Sequence, residues 1–308
     1  MNITQTGPVT TVKFDVSAGW EQWILLTNDQ HHDSPFCNQE LEREHLEIAK
    51  RSKAWVIMSG DTCDAMQGKF DSRRSYDLIR PELCGDNYYD RLIAYNGAFY
   101  KPYAKNILMI GDGNHELAVL KNANTNLGDR LASWLNTNAG GHIVHGGYGG
   151  WVRFMFEMNG IPQGSIKLKY FHGSGGEAPV TRGVIQTNRQ AVYLPDADIV
   201  VNGHSHNSYY VPISRERIGG KGKVFFDVQH HIRVPGYNQS YGDGSTGWEV
   251  TRGGVPKPIG CAWVLLSYDT KNKTVNIAVQ SDVRGADAIS LTPDMFGGRV
   301  YSQDPELN

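Results

Sequence analysis

Five short apolar segments of this sequence are each followed at once by side chains that can bind a metal ion. The segments are WILLT (23–27), AWVIM (54–58), NILMI (106–110), SIKLKYF (165–171) and ADIVV (197–201). Apolar, β-branched and aromatic runs of this length predict β-strands. The fold is strongly constrained, because parallel strands place their carboxyl ends at one edge of a sheet, and α/β proteins bind ligands at that edge.

The side chains that follow the five strands are of one chemical type. In chain order they are Asp29 and His31; Asp61 and Asp64; Asn114 and His115; His172; and His204 with His206. A single pair of this kind is most often an ordinary polar loop. Five in register favour a joint metal site, and the mixture of carboxylate, imidazole and amide favours Mn, Fe or Zn over a thiolate site.

The remaining segments complete the predicted fold. Further strands are predicted over 9–14, 151–158, 223–228, 262–268 and 274–279, and helices over 39–52, 89–103, 127–137 and 183–194. The early strands alternate with helices, which predicts an α/β layered domain, and the late strands without helices predict an antiparallel portion. No repeat or linker is visible, so we predict a single domain over 1–308. Its long segments 62–88 and 232–260 are predicted to be substrate-facing insertions, because structureless loops of such length are usually functional.

Charge and composition narrow the functional class. Thirty basic residues against 32 acidic residues give a formal charge of −2, which excludes a strongly basic nucleic-acid arm but leaves room for a local basic groove. The amino-terminal residues lack the layout of a signal peptide, and no apolar run reaches the length of a membrane span. The four cysteines are scattered, as is typical of free thiols in a reducing compartment. We therefore predict a cytoplasmic protein without a membrane partner.

In this order the motifs resemble those of the calcineurin-like metallophosphoesterase superfamily: D-x-H, G-D-x-x-D, G-N-H-E, a histidine before glycine, and G-H-x-H. The chain supplies them at Asp29–His31, Gly60–Asp64, Gly113–Glu116, His172–Gly173 and Gly203–His206. The resemblance implies a layered α-β-β-α sandwich, with two mixed β-sheets flanked by helices and a dinuclear metal site at the carboxyl ends of the strands.

The resemblance also implies a role for each motif residue. Asp61 would bridge two divalent metal ions. The other ligands implied are Asp29, His31 and His206 for one ion, and Asn114, His172 and His204 for the second. Manganese is the expected metal, with iron, zinc and magnesium as alternatives. Two such ions activate a hydroxide for in-line attack on phosphorus.

His115 resembles the family's histidine that does not bind metal. The resemblance places it near the leaving-group oxygen as a proton donor or charge stabiliser, with Asp64 holding its ring in the useful tautomer. Two neighbours are expected in supporting roles, Asp112 in a turn and Glu116 at a helix start. Cys63 is expected to be buried packing.

Other histidines and basic residues have roles that the sequence leaves open. For His32 a supporting or surface role is expected, for His142 and His145 a structural one, and for His230 and His231 either a structural role or a place at the site. The basic residues to consider are Lys69, Arg73, Arg74, Arg182, Arg189 and Arg233. Each alone is most simply a solvated surface charge, whereas together they would form a positive rim around the metals.

The substrate class is predicted from one difference between this chain and the protein phosphatases of the family. Protein Ser/Thr phosphatases continue the second motif as G-D-x-x-D-R-G, whereas this chain has Ala65 and Met66 there. The motif order and the retained His115 are similar to the phosphodiesterase and DNA-repair exonuclease branch, and aromatic residues of the long segments could stack bases. We therefore expect a metal-dependent phosphodiesterase that acts on nucleotides or nucleic acids, has no obligatory protein partner and could form a homo-oligomer. The alternatives are a phosphomonoesterase, acting on nucleotides or proteins, and a non-catalytic metal-binding scaffold.

Overall fold

The computed structural model describes residues 2–284 except 68–71, 73, 76–78, 176–180, 182, 242–244 and 246. Its strands are β1 (Asn2–Thr6), β2 (Val9–Asp15), β3 (Glu21–Thr27), β4 (Trp55–Met58), β5 (Ile107–Gly111), β6 (Val144–Gly147), β7 (Gly149–Met158), β8 (Ile161–Phe171), β9 (Ile199–Asn202), β10 (Tyr209–Ile218), β11 (Val224–Arg233), β12 (Ile259–Asp269) and β13 (Thr274–Arg284). Its α-helices are α1 (Gln39–Arg51), α2 (Tyr88–Tyr100), α3 (Asn114–Ala123), α4 (Leu127–Ala139), α5 (Val184–Tyr193) and the single turn α6 (Trp248–Thr251).

The strands form two mixed sheets. Sheet A has the order β1-β2-β7-β8-β9-β11-β10, and sheet B has the order β13-β12-β3-β4-β5-β6. In sheet B the three strands β3, β4 and β5 run parallel, and in sheet A β8 and β9 do so. The late hairpins β10–β11 and β12–β13 are antiparallel, as predicted, and one hairpin joins each sheet.

One hydrophobic core lies between the two sheets. Alternate residues of β7, namely Val152, Phe154 and Phe156, are buried there, while Arg153 between them is exposed. This confirms the prediction, made from the alternating sequence pattern, that one face of this strand lies in the core and the other is more exposed to solvent. The strand β3 is buried on both faces, because Leu26 packs between the sheets and Leu25 packs under the helices.

Helices cover the outer faces of both sheets. Residues of α1 to α4 share a second core with the outer face of sheet B. The first of these helices begins where the Asn38 side chain accepts a hydrogen bond from the Leu41 N–H at 3.0 Å, a stabilising N-cap. On the far side α5 faces sheet A, where Gln190 and Asn202 exchange two side-chain hydrogen bonds. The predicted order of layers, with helices outside two mixed sheets, is confirmed.

Every predicted strand and helix is found, and two of the strands that were not predicted have identifiable causes. The strand β6 reads VHGG, and glycine weakens a strand pattern. The strand β10 contains Pro212 and several charges, which suits its position at the edge of the sheet. The helix α3 starts inside the third motif at Asn114. No helix in the described part of the chain is both long and apolar enough to cross a membrane.

Candidate metal centre

The five motifs meet at one edge of the two sheets. The first two are joined by the hydrogen bonds Asp29 N–H to Gly60 O and His31 N–H to Asp61 O, both 3.0 Å. The last two are joined by Gly203 N–H to His172 O at 2.7 Å. A bond between the sheets joins the first motif to the last, since the His204 N–H donates to Asp29 Oδ2 at 2.7 Å. These hydrogen bonds hold four of the five motif loops to one another.

The backbone at this edge is strained where the motif residues lie. The non-glycine residues there with positive φ are Asp29 (49°), His31 (46°), Asp61 (50°), His204 (70°) and His206 (55°). A left-handed conformation costs a side-chain-bearing residue on the order of 1–3 kcal/mol, and such outliers concentrate at functional sites. The strain aims these side chains at a common point, which regular strand geometry would not do.

The first ligand group consists of Asp29, His31 and His206, whose ligand atoms lie within 4.8 Å of one another. Asp29 Oδ1 is 3.9 Å from His31 Nε2 and 3.5 Å from His206 Nε2. Both Asp29 Oδ1 and His31 Nε2 are buried, and neither has a hydrogen-bond partner among the described residues. Buried polar atoms are normally paired, so these two indicate a ligand between them.

The second ligand group consists of Asp61, His172 and His204. His172 Nε2 lies 3.1 Å from Asp61 Oδ2 and 3.2 Å from Asn114 Oδ1, so the amide belongs to the same group. The Asp61 carboxylate also accepts the His115 N–H at 2.8 Å, at the start of α3, where the helix favours negative charge. The structure thus brings together all seven residues that the sequence assigns to metal.

Charges in the two groups are strongly coupled. Burial would raise the pKa of Asp29, but the nearby His206 and His172 lower it to about 2. Burial would lower the pKa of His31, but Asp64 and the other carboxylates raise it to about 10. Both shifts come from the attraction between buried imidazoles and carboxylates. A divalent cation would compete with protons for the imidazole nitrogens, and the donor set of carboxylate, imidazole and amide fits such a cation.

His115 lies beside the two groups and belongs to neither. Its Nδ1 is 2.6 Å from the Asp64 carbonyl oxygen, to which it donates. The Asp64 carboxylate is closer to His31, at 2.9 Å from Nδ1, than to His115 Nδ1, at 3.5 Å. Asp64 therefore orients the metal-ligand candidate with its carboxylate and the proton-donor candidate with its backbone, a division of roles that the motif alone does not show. His31, Asp64 and His115 themselves lie close enough to bind an ion, but the bond to Asp64 uses His31 Nδ1 and turns Nε2 toward Asp29.

Two supporting residues hold the ligands, and the sequence analysis missed one of them. Asn28 donates to Asp29 Oδ2, and its Oδ1 lies 3.3 Å from His172 Nδ1 and accepts from Ser59 Oγ at 2.9 Å. Its position directly before the first motif was the available signal. Glu116 accepts the Gly113 and Asp61 N–H groups at 2.8 and 3.0 Å. It therefore caps the helix, as expected, and also joins the second motif to the third.

Several other histidines lie away from the site. His32 is buried and bonded to Glu42 at 2.7 Å, so the surface alternative for it is wrong. His145 Nε2 lies 2.9 Å from both oxygens of Asp112, a structural pair as predicted. His230 and His231 lie opposite Ile199 and Val200 in the first half of β9, whereas the ligand candidates follow the carboxyl end of that strand. The place at the site that the sequence left open for them is excluded.

The structure describes three of the six basic residues that would form the positive rim, namely Arg74, Arg189 and Arg233. Lys69, Arg73 and Arg182 lie outside the described residues, and Arg74 and Arg189 are exposed. Arg233 is the exception, because it is 5% exposed and its Nη1 donates to Gly203 O at 2.5 Å and Ser205 Oγ at 3.2 Å. This arginine braces the loop that carries His204 and His206 instead of facing solvent.

Replacement of Arg233 by Met is expected to weaken metal binding. The loop would lose its bonds to Gly203 and Ser205 while every ligand remains, and loss of a group that orients metal ligands typically costs about 10- to 100-fold in affinity. Titration calorimetry with Mn²⁺ measures the change. The control is Arg189→Met at an exposed position of α5; equal affinities of the two variants would contradict the bracing role.

His231 is expected to make the fold sensitive to acid. Its Nε2 pairs with Gln229 Oε1 at 2.9 Å, and its buried Nδ1 has no partner in the described structure. Burial, with Arg215 nearby, lowers its pKa to about 4, against about 6.5 when unfolded. Between these values the unfolded chain binds more protons, so stability is present above pH ~6.5 and falls as the pH drops toward ~4. His231→Gln should flatten this slope by on the order of 1–2 kcal/mol in urea unfolding at several pH values, and the exposed-site variant His142→Gln should leave it unchanged.

Comparison with known proteins adds a general likeness. No protein-family model matches the chain, and no curated protein does. Solved structures similar to it include Vps29 of Entamoeba histolytica in complex with zinc (11% identity, 84% of this chain and 99% of that one, TM-score 0.32). Others are a predicted phosphoesterase of Streptococcus pneumoniae (13% identity, 85% and 99%, TM-score 0.29) and GAP50 of Plasmodium, an anchor in the inner membrane complex (10% identity, 85% and 84%, TM-score 0.37). These TM-scores are too low to carry a functional conclusion. From its own topology and the placement of its five motifs, the chain has the architecture implied by its resemblance to the calcineurin-like metallophosphoesterases.

Proposed function

We propose that this protein is a metal-dependent phosphoesterase that hydrolyses phosphodiesters of nucleotides or nucleic acids. The observation that carries the proposal is the pair of adjoining groups, Asp29–His31–His206 and Asp61–His172–His204. In the first group the buried Asp29 Oδ1 and His31 Nε2 have no hydrogen-bond partner among the described residues. Bound divalent ions would supply a nucleophile from water and neutralise charge on the phosphoryl group. Two ions are proposed, manganese first, with iron, zinc or magnesium as alternatives.

The chain's own residues would divide the remaining work. The Asp61 carboxylate belongs to the second group and accepts the His115 N–H at the start of α3, and the family resemblance gives it the role of a ligand shared by both ions. His115 donates its Nδ1 proton to the Asp64 carbonyl, so its Nε2 is the atom that would give a proton to the leaving group. Its side chain is 14% exposed, and a substrate seated on the metals could therefore reach it.

A diester substrate is favoured because the position directly after Asp64 carries no arginine. Where protein phosphatases carry an arginine for the phosphate dianion, this chain carries Ala65, which is buried and donates its N–H to Asp33 Oδ2 at 2.9 Å. Arg233 is already committed to the Gly203 loop. A diester carries one negative charge, so it needs less neutralisation by the protein than a monoester does.

The test compares hydrolysis of bis(p-nitrophenyl) phosphate with that of p-nitrophenyl phosphate in the presence of Mn²⁺. The diester should be preferred in kcat/KM. A clear preference for the monoester would replace the proposal with a phosphomonoesterase. Bound metal without hydrolysis of either substrate would favour the non-catalytic scaffold.

A further inference from the structure

We propose that the chain has a second, structural metal site, formed by His45 of α1, Cys261 of β12 and Asp282 of β13, which binds a zinc-like divalent ion. Cys261 and Asp282 are directly opposite each other in the β12–β13 register. They therefore share a face of the sheet, and α1 brings His45 onto it. The three ligand atoms lie within 4.8 Å of one another.

The group is sealed from solvent. His45 and Cys261 are fully buried, and Asp282 is 4% exposed. Acidic and imidazole groups at a surface are commonly solvated, but buried ones need partners. His45 Nε2 and Asp282 Oδ2 lie 2.9 Å apart, yet they are not aligned for a hydrogen bond, and neither has another partner among the described residues.

Two of the ligand candidates are held through the atom that does not face the group. Tyr237 OH lies 2.9 Å from His45 Nδ1, and Arg284 Nε donates to Asp282 Oδ1 at 3.4 Å. Partners that orient ligands from behind in this way are typical of protein metal sites.

The donor atoms of the group suit a divalent ion. His45 Nε2 and Asp282 Oδ2, 2.9 Å apart, lie beside the Cys261 sulfur. A thiolate, a carboxylate and a neutral imidazole would neutralise a divalent ion, and N, S and O donors suit zinc.

The site would join two elements that both contact β3, the strand before the first motif. It ties α1 to the β12–β13 hairpin, and Tyr237 links the two regions because its backbone N–H donates to Asp29 O at 3.1 Å. Since the ligands are buried, the ion would bind as the chain folds and would contribute to stability. It differs chemically from the catalytic centre, whose ligand candidates include no thiolate.

Cobalt provides a direct test, because a cysteine thiolate bound to Co²⁺ gives a near-ultraviolet charge-transfer band that N and O ligands do not. We expect this band in the Co²⁺-loaded wild type and in Asp61→Asn, whose catalytic centre is impaired. It should persist in Cys63→Ser and Cys37→Ser and disappear in Cys261→Ser. The metal bound per chain should fall by one ion in Cys261→Ser alone among the cysteine variants.

A second measurement does not depend on any variant folding. X-ray absorption of the zinc-loaded wild type should show a sulfur neighbour at about 2.3 Å. Absence of both the sulfur and the cobalt band, or a band that survives in Cys261→Ser, would overturn the proposal and leave His45 and Asp282 as an ion pair only. Because the Asp61→Asn arm keeps the band whether or not the protein is a phosphoesterase, failure here is distinguishable from failure of the proposed function.

Discussion

Replacement of Asp61 by Asn should abolish phosphodiester hydrolysis and release bound metal. The Asp61 carboxylate lies 3.1 Å from His172 Nε2 and accepts the His115 N–H at 2.8 Å, so one residue serves the second ligand group and the start of α3. An amide keeps the size but loses the negative charge that a shared ligand must supply. Loss of a group that only supports a ligand lowers metal affinity or activity about 10- to 100-fold. Loss of the Asp61 ligand should therefore lower both by more than ~100-fold.

The measurements are the rate of bis(p-nitrophenyl) phosphate hydrolysis with Mn²⁺ and the metal content by mass spectrometry. The matched control is Asp198→Asn, a carboxylate just before β9, at the opposite end of that strand from the ligands, which accepts the Lys167 N–H at 2.8 Å. It should retain metal and activity. Full activity in Asp61→Asn would exclude the two-metal centre, because no other described carboxylate lies in the second ligand group.

The sequence predicts this centre well because its information is local. Each ligand follows an apolar strand, and parallel pairing of β3, β4 and β5 then fixes where the strand ends meet. The division of the ligands into two groups came from the family resemblance, and the structure's clusters reproduce it. The placement of the ligands at this edge, in contrast, needs only strand direction and residue type.

The supporting contacts could not be predicted in the same way, since they depend on backbone atoms and distant segments. Asp64 serves His115 through its carbonyl oxygen, which carries no sequence signal. Arg233 reads as a solvated charge at the end of a strand, yet its register opposite Asn202 places it under the Gly203 loop. Gly203 is a further example of a contact that depends on distant segments. A Cβ at this position would lie 1.1 Å from Asn28 Nδ2, and the two residues are far apart in the chain.

Replacement of His115 by Gln should lower kcat for phosphodiesters by about 100- to 10,000-fold, the usual contribution of a proton donor or acceptor, with metal content unchanged. The variant keeps the backbone N–H that Asp61 accepts, so the ligand groups should be retained. The loss should be greatest for a diester with a poorly acidic alkyl leaving group. It should be smaller for p-nitrophenolate, which leaves without needing a proton.

The variant Asp64→Asn separates the two roles of Asp64, which holds His115 through its carbonyl oxygen and His31 through its carboxylate. The variant keeps the carbonyl oxygen that accepts from His115 Nδ1 but weakens the carboxylate bond to His31 Nδ1, 2.9 Å in the native chain. It should therefore raise the Mn²⁺ concentration needed for activity and leave the leaving-group dependence intact, the reverse of His115→Gln. If His115→Gln lost metal, His115 would belong among the ligands; if its rate loss were the same for alkyl and p-nitrophenyl diesters, it would not be the proton donor.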